Sequence, residues 1–143
     1  MFTQLLPEQV SKYWDFLSWG IAQSLPPIIK DDVEALNRLL VEILAGKMQC
    51  WAVAEEGRIK AVSVTQILRN DVTKKNSLLL YSLFGYERLG EEVWKAGYEA
   101  AVKYAKAKKC KHIVAYTQNE KVIEMAKAFD GDSTFTFVSF EVK

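Results

Sequence analysis

Residues 77–84, SLLLYSLF, carry leucine or an aromatic ring on both faces of a β-forming run. A strand without polar alternation must have both faces covered, so it belongs in the middle of a sheet packed on each side. Leu78, Leu79, Leu80 and Leu83 are therefore expected to be closed to water. The rest of the chain has to supply the covering layers and the flanking strands.

Upstream, Phe2 to Leu6 reads as a short edge strand, and Pro7 suits a first helical position. Val10, Tyr13, Trp14, Leu17 and Ile21 recur at spacings of three and four, which predicts one amphipathic helix over 8–22. Phe16 and Trp19 widen that stripe, and Pro26-Pro27 follows it. Asp31 with Glu34 has capping-box spacing, and Val33, Leu36, Leu39, Leu40, Ile43 and Leu44 predict a second helix over 32–45. Gly46 suits its C-terminal end. The period then changes. Met48–Glu55 and Arg58–Arg69 read as a hairpin turning at Glu56-Gly57, with Ala61, Ser63 and Thr65 on one face and Val62 and Val64 on the other. Beyond the central strand, 91–109 predicts a long helix and His112–Thr117 another strand. Asn119 caps a helix reaching Phe129, and Thr134–Val142, TFTFVSFEV, reads as a last strand. The order is (β)ααβββαβαβ in one α/β domain over 1–143, a mixed central sheet with helices on both faces.

Composition narrows the function classes. Nineteen Lys+Arg against eighteen Asp+Glu leave a net charge of +1, so there is no electrostatic case for nucleic acid or an anionic membrane. Cys50, Cys110 and the lone His112 make no metal-ligand pattern, so no metal is expected. No stretch approaches the roughly 20 apolar residues of a membrane span, and Met1–Leu6 lacks the features of a signal peptide. The expected setting is a reducing, cytoplasmic one.

The element order, together with EMAKAFDGDSTFTFVSF (Glu124 to Phe140), resembles the GCN5-related N-acetyltransferase (GNAT) fold, and among its members the short divergent ones of phage and prophage genomes. The resemblance implies an acyl-CoA-dependent N-acetyltransferase. It equally leaves room for a non-catalytic module of this fold that acts through protein contacts, such as a phage accessory or virion component. In the family, the motif Arg/Gln-x-x-Gly-x-Gly/Ala joins the central strand to the long helix. The splayed strand holds the pantetheine, and helix N–H groups hold the pyrophosphate. Here the junction is GYERLGEEVW, Gly85 to Trp94. Leu83, Gly85, Arg88 and Gly90 are the candidate cofactor-binding residues. Glu91 and Val93 stand at the motif's glycine positions, and Glu91 with Glu92 sets two carboxylates where a pyrophosphate would sit. Acids in a first helical turn also suit the helix dipole without any ligand. Acetyl-CoA or CoA is accordingly expected to bind weakly or not at all.

The family's acid is often a tyrosine on the helix after the fifth strand, and 119–129 contains none. Tyr81 and Tyr116 are the remaining candidate acids, and Glu87 and Glu55 the candidate bases. Each also has a plain reading, as a core tyrosine or a solvated turn carboxylate. His112 and Cys110 lack a third orienting group and read as structural or surface residues. Lys103, Lys106, Lys108, Lys109 and Lys111 suit a helix C-terminus. Phe16 and Trp19 are the expected exposed aromatics, and the surface for a second copy or another protein partner.

Overall fold

A computed structural model describes residues 2–26, 29, 32 and 34–143. Ten elements follow one another: β1 (Phe2–Gln4), α1 (Pro7–Lys12), α2 (Trp14–Gln23), α3 (Ala35–Leu44), β2 (Met48–Glu55), β3 (Arg58–Arg69), β4 (Asn76–Gly85), α4 (Glu91–Ala107), β5 (Cys110–Ala115) and α5 (Glu120–Ala128). The five strands lie in the order β1-β2-β3-β4-β5. The first four are antiparallel, and β5 joins β4 in parallel. A parallel neighbour needs a crossover, which α4 supplies.

Local chemistry accounts for most of the boundaries. Pro7 opens α1, and the Gln9 side chain reaches back to accept from Leu6 N–H at 2.8 Å. The β2–β3 turn places Glu56 and Gly57 at φ 52° and 76°, the left-handed pair a two-residue hairpin needs. Asn119 caps α5 by accepting from Lys121 N–H at 2.9 Å.

The sheet's two faces are chemically different. Val62 and Val64 of β3, with Met48 and Cys50 of β2, face Val10, Leu17, Ile21, Leu39 and Ile43 of α1–α3 and form the main core with them. The opposite face looks toward α4. It carries a buried polar chain in which Trp51 Nε1 donates to Thr65 Oγ1 at 2.9 Å and Thr65 Oγ1 donates to Gln49 Oε1 at 2.9 Å. Such groups tolerate burial because each finds a partner.

Four expectations need correction. The predicted helix over 8–22 is two helices. Tyr13, at φ −105° and ψ 15°, ends α1 and begins α2, which keeps Val10, Leu17 and Ile21 at full burial while Tyr13 itself turns outward. The second helix begins at Ala35, later than the predicted 32. Asp31 and Val33 lie outside the described residues, and the turn before the helix is made by Asp32, whose carboxylate accepts from Glu34 N–H at 2.9 Å. That hydrogen bond, helped by Arg38, holds the Asp32 carboxyl below its usual range. In β4, Leu78 and Leu79 are buried, but Leu80 and Leu83 are only half-buried, because β5 pairs no further than Leu80. Finally, Thr134–Val142 forms no strand: residues 131–143 have no regular secondary structure, and all are exposed.

Burial also sets an alkaline limit. The Cys50 thiol is pushed up to about 12 from its ordinary 9.0 because burial disfavours the thiolate. Below 9.0 the thiol is neutral in both states and costs nothing. Above it the unfolded chain ionises first, so stability falls as pH rises toward about 12, at up to about 1.4 kcal/mol per pH unit. Tyr86, also pushed up to about 12, adds the same sign above 10.0. Urea melts across this range should show the decline, and Cys50→Ala should flatten the part that begins first. An unchanged slope in that variant would reject Cys50 as its source.

Candidate functional site

The site is built where β4 and β5 part. Their pairing runs from Asn76↔Cys110 to Leu80↔Ala115 and stops there, while β4 continues to Gly85. At the same level β4 bulges against β3. Thr65 is opposite Leu80 and Val64 is opposite Ser82, so Tyr81 has no partner in the register. A bulge shifts the side-chain alternation by one. Leu80 and Leu83 consequently both face the α4 side, lining an apolar cavity of about 90 Å³ with Leu89, Val93 and Trp94. Past the bulge, the Ser82 carbonyl accepts from Ser63 Oγ at 2.9 Å. The buried Ser82 Oγ itself has no hydrogen-bond partner among the described residues.

On the other face, Tyr81 and Tyr116 border the same cavity, of about 100 Å³, with Leu79, Leu80, Pro26 and Ile29. The two tyrosines singled out from the sequence thus share one small chamber beside the parting strands, with Pro26 and Ile29 on its wall. Burial raises the Tyr81 hydroxyl above its ordinary value, so it is a protonated donor at neutral pH. No carboxylate lines this chamber among the described residues.

The candidate carboxylates are engaged elsewhere. Lys60 Nζ lies 2.7 Å from Glu55 and 3.6 Å from Glu87, and Arg58 is 3.4 Å from Glu87. The Lys60 hydrogen bond holds the Glu55 carboxyl below its usual range. These four side chains form one ionic cluster at the hairpin end of the sheet.

The turn from β4 to α4 is shaped by glycine and by Tyr86. A Cβ on Gly85 would stand 2.9 Å from the Glu87 carbonyl, so only glycine follows this path without displacing the backbone. Tyr86 donates its hydroxyl to the Phe16 carbonyl at 2.7 Å and stacks on the Phe16 ring, centroids 4.2 Å apart. Trp19 stacks on Tyr86 from the side and meets Phe84 edge-on. Phe16 and Trp19 remain 46% and 58% exposed, the most open large aromatics of α2. Gly20 is what lets Tyr86 lie across the helix: a Cβ there would meet the Tyr86 hydroxyl at 2.5 Å.

Gly90 is the N-cap of α4 in an extended conformation, with no side chain capping the helix and open space where its Cβ would be. A 17-residue helix ending this way presents N–H groups and a positive dipole end to an anion. Arg88 beside it is exposed and makes no ion pair among the described residues. Glu91, by contrast, is paired: its carboxylate is held by Lys121 at the start of α5, and Lys121 also lies 3.9 Å from Glu124. This Glu91–Lys121 pair ties the starts of α4 and α5 together across the opening between the strands. Sequence reasoning missed Lys121. Its signal was a cation in the first turn of a helix, which the dipole disfavours and which therefore calls for a partner. His112 and the lysines at 103, 106, 108, 109 and 111 are all exposed. No cluster of three or more metal-ligating side chains occurs among the described residues.

No protein-family model matches the sequence. No curated protein matches it either. Solved structures match the whole chain. A ribosomal-protein-alanine N-acetyltransferase from Brucella melitensis biovar Abortus 2308 is 10% identical, with 99% of each chain covered and a TM-score of 0.72. The aminoglycoside acetyltransferase AAC(6')-Iy, in complex with a CoA-containing bisubstrate analogue, is 15% identical, with 100% of this chain and 97% of that one covered and a TM-score of 0.75. A predicted acetyltransferase with acetyl-CoA from Clostridium acetobutylicum is 13% identical, covering 99% and 95%, with a TM-score of 0.73. The chain has the GNAT, or acyl-CoA N-acyltransferase, fold.

Proposed function

We propose that this chain, on its GNAT fold, is an acyl-CoA-dependent N-acyltransferase that holds its cofactor weakly. The observation that carries the reading is the parting of β4 and β5 at Leu80 and Ala115, beside an α4 N-terminus that no side chain caps. The opening suits a pantetheine arm, whose amides can pair with the main chain that β5 leaves free. Gly90 and the first N–H groups of α4 suit a pyrophosphate, with Arg88 and Lys121 as the nearby cations. The bound thioester would supply the electrophilic carbonyl. An amine acceptor would enter the Tyr81–Tyr116 chamber, where the protonated Tyr81 hydroxyl can donate to a departing thiolate. With Glu55 and Glu87 engaged by Lys60, the amine's proton is left to water.

Weak binding follows from the same residues. Lys121 offsets the charge of Glu91, but Glu92 has no ion-pair partner among the described residues, and it sits in the first turn of α4. Calorimetric titration with acetyl-CoA should show binding in the high-micromolar range or weaker. Thiol release with small primary amines should depend on the protein. Absence of heat at millimolar acetyl-CoA would overturn the reading and leave a fold that acts through contacts alone.

A further inference from the structure

The cavity of about 90 Å³ beneath α4 runs inward from the parting of the strands. It starts at Leu80 and Leu83 and continues past Gly97 and Ala101 to Trp51 and Phe2. On α4 its wall extends from Val93 to Ala101, about 12 Å of helix at about 1.5 Å per residue. No charged side chain lines it among the described residues. The hydroxyls in its floor are already used. Thr65 Oγ1 donates to Gln49 and accepts from Trp51, and Ser63 Oγ donates to the Ser82 carbonyl. Such a space gives a polar ligand or a water no partner. Gly97 keeps it open. A Cβ there would lie 3.8 Å from the Phe2 ring, an ordinary contact, so packing does not require glycine at this point. Within a 17-residue helix, glycine is destabilising relative to alanine.

We propose that this cavity is an acyl-chain pocket, and that the group it selects is longer than acetyl: a short aliphatic acyl chain such as butyryl. The inference rests on the acyl-CoA reading above and adds the identity of the group transferred. A ligand that fits must keep a polar end outside and send an apolar end in. An acyl thioester at the parting of β4 and β5 has that form, its chain passing Leu80 into the cavity. The Tyr81–Tyr116 chamber on the opposite face stays free for the amine. Volume sets the length. A carbon group needs about the room of a water, whose share of the liquid is about 30 Å³. The cavity of about 90 Å³ therefore holds roughly three carbons beyond the carbonyl. An acetyl methyl would leave most of it empty, and an octanoyl chain would overfill it. The transfer itself is the same for either chain. The acceptor nitrogen bonds the carbonyl carbon and the carbon–sulfur bond breaks. The amine's proton leaves to water while the sulfur takes one from Tyr81, which water restores, giving an amide and the CoA thiol.

Calorimetric titration of the full chain with CoA, acetyl-CoA, butyryl-CoA and octanoyl-CoA tests it. Each methylene that enters the cavity should tighten binding about fourfold. Butyryl-CoA should therefore bind at least about tenfold tighter than acetyl-CoA, and octanoyl-CoA should gain nothing further. Gly97→Leu puts a side chain into the space, and with it butyryl-CoA should bind no more tightly than acetyl-CoA. Gly97→Ala, whose Cβ has room, makes the same test in a smaller step and should reduce the advantage part way. Urea melts of both variants check that the fold is kept. Equal affinities of acetyl-CoA and butyryl-CoA for the wild-type chain would overturn the pocket and leave the N-acyltransferase reading standing. Affinity that goes on rising through octanoyl-CoA would mean an open apolar surface and would overturn it too. A chain-length advantage undiminished in both Gly97 variants would also overturn it, placing the chain elsewhere, such as in the Tyr81–Tyr116 chamber. No heat with any of the four ligands would remove the pocket and the N-acyltransferase reading together.

Discussion

Leu78→Ala should lower the unfolding free energy by about 2–5 kcal/mol, toward the upper end of that range. Leu78 is completely buried at the centre of β4, between Ile67 of β3 and Ile113 of β5. It already borders the cavity of about 90 Å³ beneath α4. Truncation would enlarge a void that the surrounding side chains already leave unfilled, so the transfer and cavity penalties should both apply. Leu80→Ala, two residues on, should cost about half as much, because Leu80 stands at the parting of the strands and is already half-solvated. Urea denaturation of the two variants measures the difference. A Leu78→Ala cost under about 1 kcal/mol, or a larger cost for Leu80→Ala, would contradict this account of the core.

Lys121→Glu should weaken acetyl-CoA binding by roughly ten- to a hundredfold. The lysine is the cation paired with Glu91 at the mouth of the opening, and it also approaches Glu124. Reversing its charge would surround the α4 N-terminus with carboxylates at 91, 92, 121 and 124. Each close like-charge contact with a diphosphate costs on the order of 1 kcal/mol at surface dielectric. Glu91→Gly should act in the opposite direction, removing a carboxylate and freeing Lys121 for phosphate. Neither change should move the melting temperature much, since exposed ion pairs contribute about 0–1 kcal/mol. The contrast between the variants should shrink in high salt. Equal affinities for wild type and Lys121→Glu would mean that the pyrophosphate is held elsewhere. Arg88→Ala, several-fold weaker in the same titration, would locate the second cation.

Local patterns carried the fold as far as α5. The apolar run 77–84 specifies a covered strand because both of its faces are apolar, and Asn119 caps its helix through an interaction confined to three residues. What escaped was set by partners distant in sequence. Whether Leu80 is closed to water depends on where β5 stops, and nothing in SLLLYSLF encodes that. The run TFTFVSFEV has strand composition, but a strand exists only when paired, and composition cannot name the partner. The candidate tyrosines were legible as one ring on the central strand and one at the end of the next. That both border one chamber depends on the bulge at Tyr81, a geometric event that leaves no mark on the periodicity of either strand. Glu87 reads as a free turn acid until Arg58 and Lys60 are brought beside it by the hairpin register.

The single parallel pairing has a kinetic consequence. β2, β3 and β4 are joined by short connections, so their hairpins close with little loss of loop entropy and can form early. β5 must wait for the whole of α4 to be laid across the sheet before it meets β4. In hydrogen exchange, β5 and α5 should therefore open as a unit at lower free energy than the meander. The boundary between the early and late units is the line along which β4 and β5 part. A ligand seated there touches both, so binding would raise the opening free energy of the late unit and of the whole chain by the same amount, while openings of the meander that leave the ligand in place would be unaffected.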